Sequence, residues 1–263
     1  MNSHQAMANA RPTAAAIGKR KGAAFPVVTA YDAPFARLAE SAGIDVVLVG
    51  DSLGMVVLGF ESTASVELGD MVRHGAAAAR GAKRAHVIVD LPFGAYEASD
   101  ELAVRSAVAL VKDGGATSVK LEGGVRMRSR IAAIVAAGIP VCAHIGVTPQ
   151  TAAFGTGFRR QTGREALLAD AHATVAAGAF AVVLEMVDAE LASEITEAIP
   201  IPTIGIGSGP HCDGQVLVMH DLLGLYEHAP PFVRRFGELG SAAAAAFGAY
   251  ATAVREREYP KKS

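Results

Sequence analysis

Acidic, basic and imidazole side chains stand in this chain at one recurring place, directly after short apolar runs. Asp51-Ser52 follows the run 46–50, Asp90 ends 87–90, and Lys120 and Glu122 flank the end of 117–121. His144 follows 140–143, Glu185 follows 181–184, glycines 205, 207 and 209 close 202–206, and His220-Asp221 follows 216–219. Carboxylates gathered in one cleft repel each other unless a cation or a proton intervenes. Carboxylates without cysteine or clustered histidine beside them favour a hard divalent cation such as Mg2+ over zinc. Glu185 comes straight after Val-Val-Leu, and an ionised carboxylate in such surroundings needs a partner or a raised pKa.

Those side chains meet only if the elements that carry them converge. Eight apolar, β-branched runs predict strands over 25–30, 46–50, 87–90, 117–121, 140–143, 181–184, 202–206 and 216–219. Each is continuous rather than alternating, as in strands buried on both faces of a parallel sheet. Ala-rich amphipathic stretches predict helices over 34–42, 68–80, 99–112, 125–137, 164–177 and 189–198, several followed by a glycine in the position of a C-cap. Eight such βα units in 263 residues suggest an α/β fold, a (β/α)8 TIM barrel. An open doubly wound sheet is the rival, because periodicity does not reveal closure. In a barrel the C-terminal strand ends share one face, and that face carries the active site. Asp51, Asp90, Lys120, Glu122, His144 and Glu185 would then point at one another.

Composition narrows the classes. Hydrophobic residues make up 51% and charged residues 19%, which excludes a disordered chain. The longest apolar runs fall well below the roughly 18 residues of a membrane-spanning helix. A net charge of −2 lacks the basic footprint of a nucleic-acid binder. Two cysteines, Cys142 and Cys212, exclude a disulfide framework and suit a reducing, cytoplasmic compartment. The chain is read as an N-terminal extension over 1–24, expected to be mobile, one barrel domain over 25–254 and a charged tail over 255–263. The extension lacks the apolar core of a secretory signal, whereas a mitochondrial-type presequence remains compatible with its composition.

Each residue also has a plainer reading. Asp51 and Asp90 suit helix N-caps. Lys120 and Glu122 share a strand face and suit an ordinary salt bridge, and His144 suits a hydrogen-bonded core histidine. His211-Cys212-Asp213 lacks a second ligand pair at zinc spacing and reads as a loop. The GIGSG segment 205–209 reads as a close-packed βα turn, with a phosphate cradle as the alternative.

The segments VGDSLGM (49–55), VDLPFGAY (89–96), VKLEGG (119–124), PVCAHIGVTPQ (140–150), VVLEMV (182–187) and IPTIGIGSGPHCDGQVLVMHDLLGL (201–225) resemble the ketopantoate hydroxymethyltransferase family, and the similarity runs over 25–236. The resemblance implies a TIM barrel of the phosphoenolpyruvate/pyruvate type. It implies transfer of a hydroxymethyl group from 5,10-methylenetetrahydrofolate to 3-methyl-2-oxobutanoate, giving 2-dehydropantoate on the way to pantothenate and coenzyme A. It also implies one Mg2+ per subunit, small-molecule substrates only, and a homodecamer built as a pentamer of dimers. By matched motif, Asp51 and Asp90 are metal ligands and Glu122 supports the metal. Asp51, Ser52, Asp90, Lys120 and His144 face the oxo acid, and Glu185 is the catalytic acid/base. Two other readings stand beside it: another Mg2+-dependent C–C bond enzyme acting on a 2-oxo acid, and an inactive binding paralogue. The stretch FGTGFRRQTGR (154–164) departs from the family pattern and is expected to act as a lid. Ser208, Pro210 and His211 depart as well.

Overall fold

The computed structural model describes residues 11–260 apart from 153, 156 and 228. Eight parallel strands close into a barrel in the order β1 to β8. They are β1 (Phe25–Thr29), β2 (Val46–Val49), β3 (His86–Asp90), β4 (Ser118–Glu122), β5 (Val141–Gly146), β6 (Ala181–Glu185), β7 (Thr203–Ile206) and β8 (Gly214–Leu217). The open doubly wound sheet is thereby excluded. The Phe25 N–H donates to the Asp213 carbonyl at 3.2 Å where the barrel closes. A side chain at Gly214 would place its Cβ 2.8 Å from the Phe25 ring, so the closing strands approach this tightly only because that residue is glycine.

All eight strands lie within three residues of their predicted positions. Gly214 and Gln215 pair with Ile204 and Gly205, and the chain turns at Val218 into a helix, so the eighth strand starts two residues earlier than 216. Helices return the chain between strands: α1 (Ala14–Gly18), α2 (Ala33–Ser41), α3 (Leu53–Val56), α4 (Leu68–Gly81), α5 (Asp100–Lys112), α6 (Arg128–Ala136), α7 (Pro149–Ala152), α8 (Arg164–Ala176) and α9 (Ala189–Ala198), with α10 (Met219–Leu223) and α11 (Leu239–Arg255) after the barrel. Asp32, Ser99 and Asp188 start α2, α5 and α9 by accepting from the backbone N–H of the second or third helical residue.

The chain divides into two compact units, 1–216 and 217–263, where the sequence pattern suggests one domain over 25–254. In the second unit α11 has no buried residue, and Phe247 and Tyr250 are exposed. The core of the first unit lies inside the barrel and comprises Phe25, Val27, Val46, Leu48, Ile88, Cys142, Ala181, Val183, Ile204 and Val216, with Ile17 packed among them.

Ile17 corrects the expectation of a mobile extension over 1–24, as far as residues 11–24 are concerned. It is fully buried at the N-terminal mouth of the barrel, carried there by α1, whose first turn Thr13 caps. The flanking residues are pinned by polar contacts. Arg11 donates to the Ala79 and Ala82 carbonyls, Lys21 meets Asp213 at 3.1 Å, and the Gly22 N–H reaches the same carboxylate at 2.6 Å. His86, at the start of β3, bridges the Pro12 carbonyl and Ser118 Oγ at 2.8 Å each. An apolar plug and a latch of charged hydrogen bonds hold this segment in place. Residues 1–10 and 261–263 lie outside the described residues.

Two outcomes test this end of the barrel. Ile17→Ala is expected to lower unfolding stability by about 2–5 kcal/mol in urea titration, the cost of a cavity in a filled core; a loss below about 1 kcal/mol would show that the plug contributes little. Burial pulls the His86 imidazole down to about 4, against the upward pull of the Pro12 carbonyl and with Arg11 adding to the fall. The unfolded chain therefore takes up this proton first, and the stability present above about pH 6.5 is lost as pH falls toward 4. His86→Gln should lose less stability than the parent between pH 7 and 4.5, and equal losses would contradict the assignment.

Candidate active site

Strand register builds the site. Asp90 ends β3 opposite Lys120 of β4. Glu122 ends β4 opposite His144 of β5, and Glu185 ends β6 opposite Gly146. Residues two apart on a strand share a face, so Lys120 and Glu122 both point into the C-terminal mouth. Gly146 has φ 97, and a Cβ there would stand 2.3 Å from the Glu185 carbonyl, so only glycine lets β5 pass this close to the end of β6.

The side chains form one connected cluster. Lys120 Nζ meets Asp90 Oδ2 at 3.1 Å and His144 Nδ1 at 3.2 Å. The Asp51 N–H donates to Asp90 Oδ2 at 3.0 Å. Ser52 Oγ pairs with the Tyr31 hydroxyl at 2.9 Å. His144 Nε2 lies 3.3 Å from Glu185 Oε2 without full hydrogen-bond alignment, and Nδ1 lies 3.7 Å from Glu122 Oε1. Asp51, Asp90, Lys120, Glu122 and His144 are all buried, while the Glu185 side chain keeps 18% exposure. Lys120 pairs with Asp90 rather than Glu122, and Asp51 caps no helix: its carboxylate accepts from Gln150. All six residues singled out on the strand ends come together here, with Ser52 beside them.

Burial and mutual repulsion shape the protonation states. Burial pushes Asp90 up to about 7, and Asp51 adds to the rise although Lys120 opposes it. Burial likewise raises Asp51, and raises Glu122 strongly with help from the Asp51 charge. Burial pulls Lys120 downward, yet Asp90, Asp51 and Glu122 together outweigh it and hold the ammonium charged. His144 is lowered by burial and then by Lys120. An ammonium has only donors to offer, so His144 Nδ1 must accept and the ring proton sits on Nε2, facing Glu185.

The residues present fit a divalent cation. Fully ionised, four carboxylates around one ammonium leave a surplus of three negative charges. Asp90 Oδ1 is a fully buried carboxylate oxygen with no hydrogen-bond partner among the described residues. Such an atom calls for a proton or a cation. No group of three or more His, Cys, Asp or Glu among the described residues is arranged as a ready-made metal cage. Mg2+ does not require one: it is commonly held by one or two carboxylates, with waters and substrate oxygens completing the shell.

Three residues of the cluster were absent from the sequence expectations. Tyr31 follows β1, Tyr96 closes the VDLPFGAY segment and Gln150 closes PVCAHIGVTPQ. All three are buried, and their signal in the sequence was a polar group shortly after a strand. Past β6, Met186 has φ 48, a left-handed conformation rare outside glycine. Ser208 spans it, accepting from the Val187 N–H at 3.0 Å and donating to the Leu184 carbonyl at 2.7 Å. The loop after β5 docks here: the Gln161 N–H donates to the Met186 carbonyl at 2.8 Å, and Arg160 donates to the Val187 and Gly207 carbonyls. Segment 205–209 is thus the close-packed turn. Asp213 of His211-Cys212-Asp213 faces the opposite end of the barrel, bonded to Thr203 and Lys21.

The chain is thus a closed (β/α)8 barrel, of the TIM-barrel class, with this cluster of acids, a lysine and an imidazole at its C-terminal mouth, the face that carries the active site in enzymes of this fold. The sequence profile of the ketopantoate hydroxymethyltransferase family matches residues 12–262, and the chain belongs to that family. It is 51% identical over 245 residues to a protein from Ignicoccus hospitalis named 3-methyl-2-oxobutanoate hydroxymethyltransferase, covering 92% of this chain and 93% of that one. A protein of the same name from an Anaeromyxobacter species is 52% identical over 252 residues, covering 92% and 82%. Among solved structures the fold resembles 2,3-dimethylmalate lyase, with a TM-score of 0.62 at 20% identity over 96% of this chain and 91% of that one. It also resembles a phosphoenolpyruvate phosphomutase from Streptomyces platensis subsp. rosaceus, with a TM-score of 0.65 at 15% identity over 93% and 88%. At such identities these two likenesses concern the fold alone.

The tautomer of His144 is directly testable. Ring 15N shifts are expected to show a neutral imidazole at pH 7 protonated on Nε2. A proton on Nδ1, or a charged ring at that pH, would contradict the Lys120 contact.

Proposed function

We propose that the chain transfers a hydroxymethyl group from 5,10-methylenetetrahydrofolate to 3-methyl-2-oxobutanoate, giving 2-dehydropantoate. The observation that carries the reading is the buried, partnerless Asp90 Oδ1 within a carboxylate cluster around Lys120. Asp51 and Asp90 are the residues that would hold Mg2+, with Glu122 supporting it. When bound, Mg2+ supplies a Lewis acid that polarises the keto oxygen and offsets the negative charge arising as a C3 proton leaves.

The chain's own residues do the rest. Lys120 offsets the charge of the oxo acid, and Ser52 and His144 line its place. Glu185 takes the C3 proton. Its side chain is the most exposed among the acids of the cluster, at 18%, so it can reach substrate. His144 turns its Nε2 toward the Glu185 carboxylate at 3.3 Å, a donor placed beside the base. Water takes the place of the two folate nitrogens on the methylene carbon, both C–N bonds breaking and both nitrogens taking up protons as tetrahydrofolate leaves; the electron pair left at C3 attacks that carbon, and its oxygen accepts a proton to become the hydroxyl of the hydroxymethyl group.

Two finer elements belong to the same reading. The protein acts in a reducing cytoplasm, which two free, buried cysteines suit; among the described residues no helix is long and apolar enough to cross a membrane. It assembles as a decamer, a pentamer of dimers, and the exposed apolar side chains of α11 support burial against another chain.

The test is exchange of the C3 proton of 3-methyl-2-oxobutanoate in D2O, followed by NMR with and without Mg2+. Metal-dependent exchange is expected, slowed at least about 100-fold in Glu185→Gln. Adding methylenetetrahydrofolate should then yield 2-dehydropantoate. Exchange that survives Glu185→Gln removes that residue as the base. Exchange without product in the presence of the folate would favour another C–C bond enzyme acting on a 2-oxo acid. No exchange with or without folate would favour the inactive binding paralogue.

A further inference from the structure

Gln150 has no proton to transfer, yet its side chain is hydrogen-bonded on every side within the cluster. It lies at the start of α7 and is 1% exposed. Its Nε2 donates to Asp51 Oδ2 at 2.8 Å and to the Leu91 carbonyl at 2.9 Å. Its Oε1 accepts from the Tyr96 hydroxyl at 2.6 Å, and its backbone N–H donates to Glu122 Oε2 at 3.2 Å. Both amide protons and the amide oxygen are thus engaged. Tyr96 is anchored in turn, since its hydroxyl accepts from the Glu122 N–H at 3.2 Å and lies 3.3 Å from the Glu122 carbonyl.

This arrangement decides which way the amide faces. The tyrosine hydroxyl donates to the amide oxygen, so the NH2 end must face Asp51 and the Leu91 carbonyl, both acceptors. A flipped amide would set its oxygen against two oxygens and its NH2 against a donor. The bond to Oδ2 in turn stops the Asp51 carboxylate from rotating freely. One residue thereby connects the ends of β2, β3 and β4, where the candidate metal ligands stand.

We infer that Gln150, oriented by Tyr96, is a positioning residue that fixes the Asp51 carboxylate relative to Asp90 and Glu122 for cation binding. The inference rests on the functional reading above and deepens it. Groups that hold a ligand's orientation typically contribute about 10–100-fold to metal affinity. Packing alone would give a different pattern, and a volume-matched side chain without donors separates the two.

The experiment is calorimetric titration of Mg2+ into the intact protein and its variants, without substrate, alongside thermal unfolding and the C3 exchange assay. Gln150→Met fills the space and lacks the amide. It is expected to fold, to weaken Mg2+ binding by about 10–100-fold, and to need correspondingly more Mg2+ for half-maximal exchange. Tyr96→Phe should weaken binding in the same direction but less, and the double variant should bind about as Gln150→Met does, because the two act in series. Mg2+ binding in Gln150→Met equal to that of the parent would overturn the inference and leave the functional reading intact. Additive losses would overturn the part assigned to Tyr96. If Gln150→Met fails to fold, Tyr96→Phe decides alone, and unchanged Mg2+ affinity overturns the inference. A parent protein that binds no Mg2+ would overturn both readings.

Discussion

Three buried carboxyl groups, Asp51, Asp90 and Glu122, crowd around one ammonium at the C-terminal mouth of the barrel, and their charges repel one another unless something positive joins them. The other properties of the site follow from this imbalance. Burial and repulsion raise Asp51, Asp90 and Glu122, and the same acids hold Lys120 charged against the cost of its own burial. A charged Lys120 then keeps its neighbour His144 neutral and sets its tautomer. Such a cluster is poor for stability, because buried charges pair at best at near break-even. A cation joining the cluster would relieve the imbalance.

The barrel tolerates this because its two ends are built differently. At the N-terminal end Ile17 plugs the core, and Asp213 collects hydrogen bonds from Gly22, Thr203 and Lys21. These contacts satisfy polar groups fully and leave little room for motion. At the C-terminal end the buried Asp90 Oδ1 has no hydrogen-bond partner among the described residues, and Met186 directly after Glu185 holds a left-handed backbone. Unsatisfied groups and strained backbone of this kind are costly and persist where surrounding bonds over-determine them. Ser208, Gln161 and Arg160 supply such bonds around Met186. One end of the fold stabilises it, and the other end is held ready for chemistry.

The loop after β5 is tied to the strand end that carries Glu185. The segment after β5 leaves the strand that carries His144 and returns to bond the backbone that follows Glu185. Two residues 3.3 Å apart are therefore also linked through a loop that flanks the mouth.

Much was legible in the order of residues. Continuous β-branched runs mark buried parallel strands, and a charged residue directly after such a run has few structural reasons to be there. Those two facts are local, so Asp51, Asp90, Lys120, Glu122, His144 and Glu185 could be picked out before any fold was known. The start of the eighth strand was less legible, because Gly214 and Gln215 look like loop residues until Ile204 pairs with them. Residues 11–24 read as loose because the burial of Ile17 depends on a barrel mouth that exists only once eight strands close. Tyr96 and Gln150 were passed over for the same reason, since an amide 99 residues from Asp51 becomes its partner through tertiary folding alone. The sequence by itself determined which chemical groups the protein carries and the strand ends that bear them. The tertiary structure decided that the sheet closes, that Lys120 pairs with Asp90 and which carboxylate oxygen is left without a partner, because each of these depends on register and distance between segments remote along the chain.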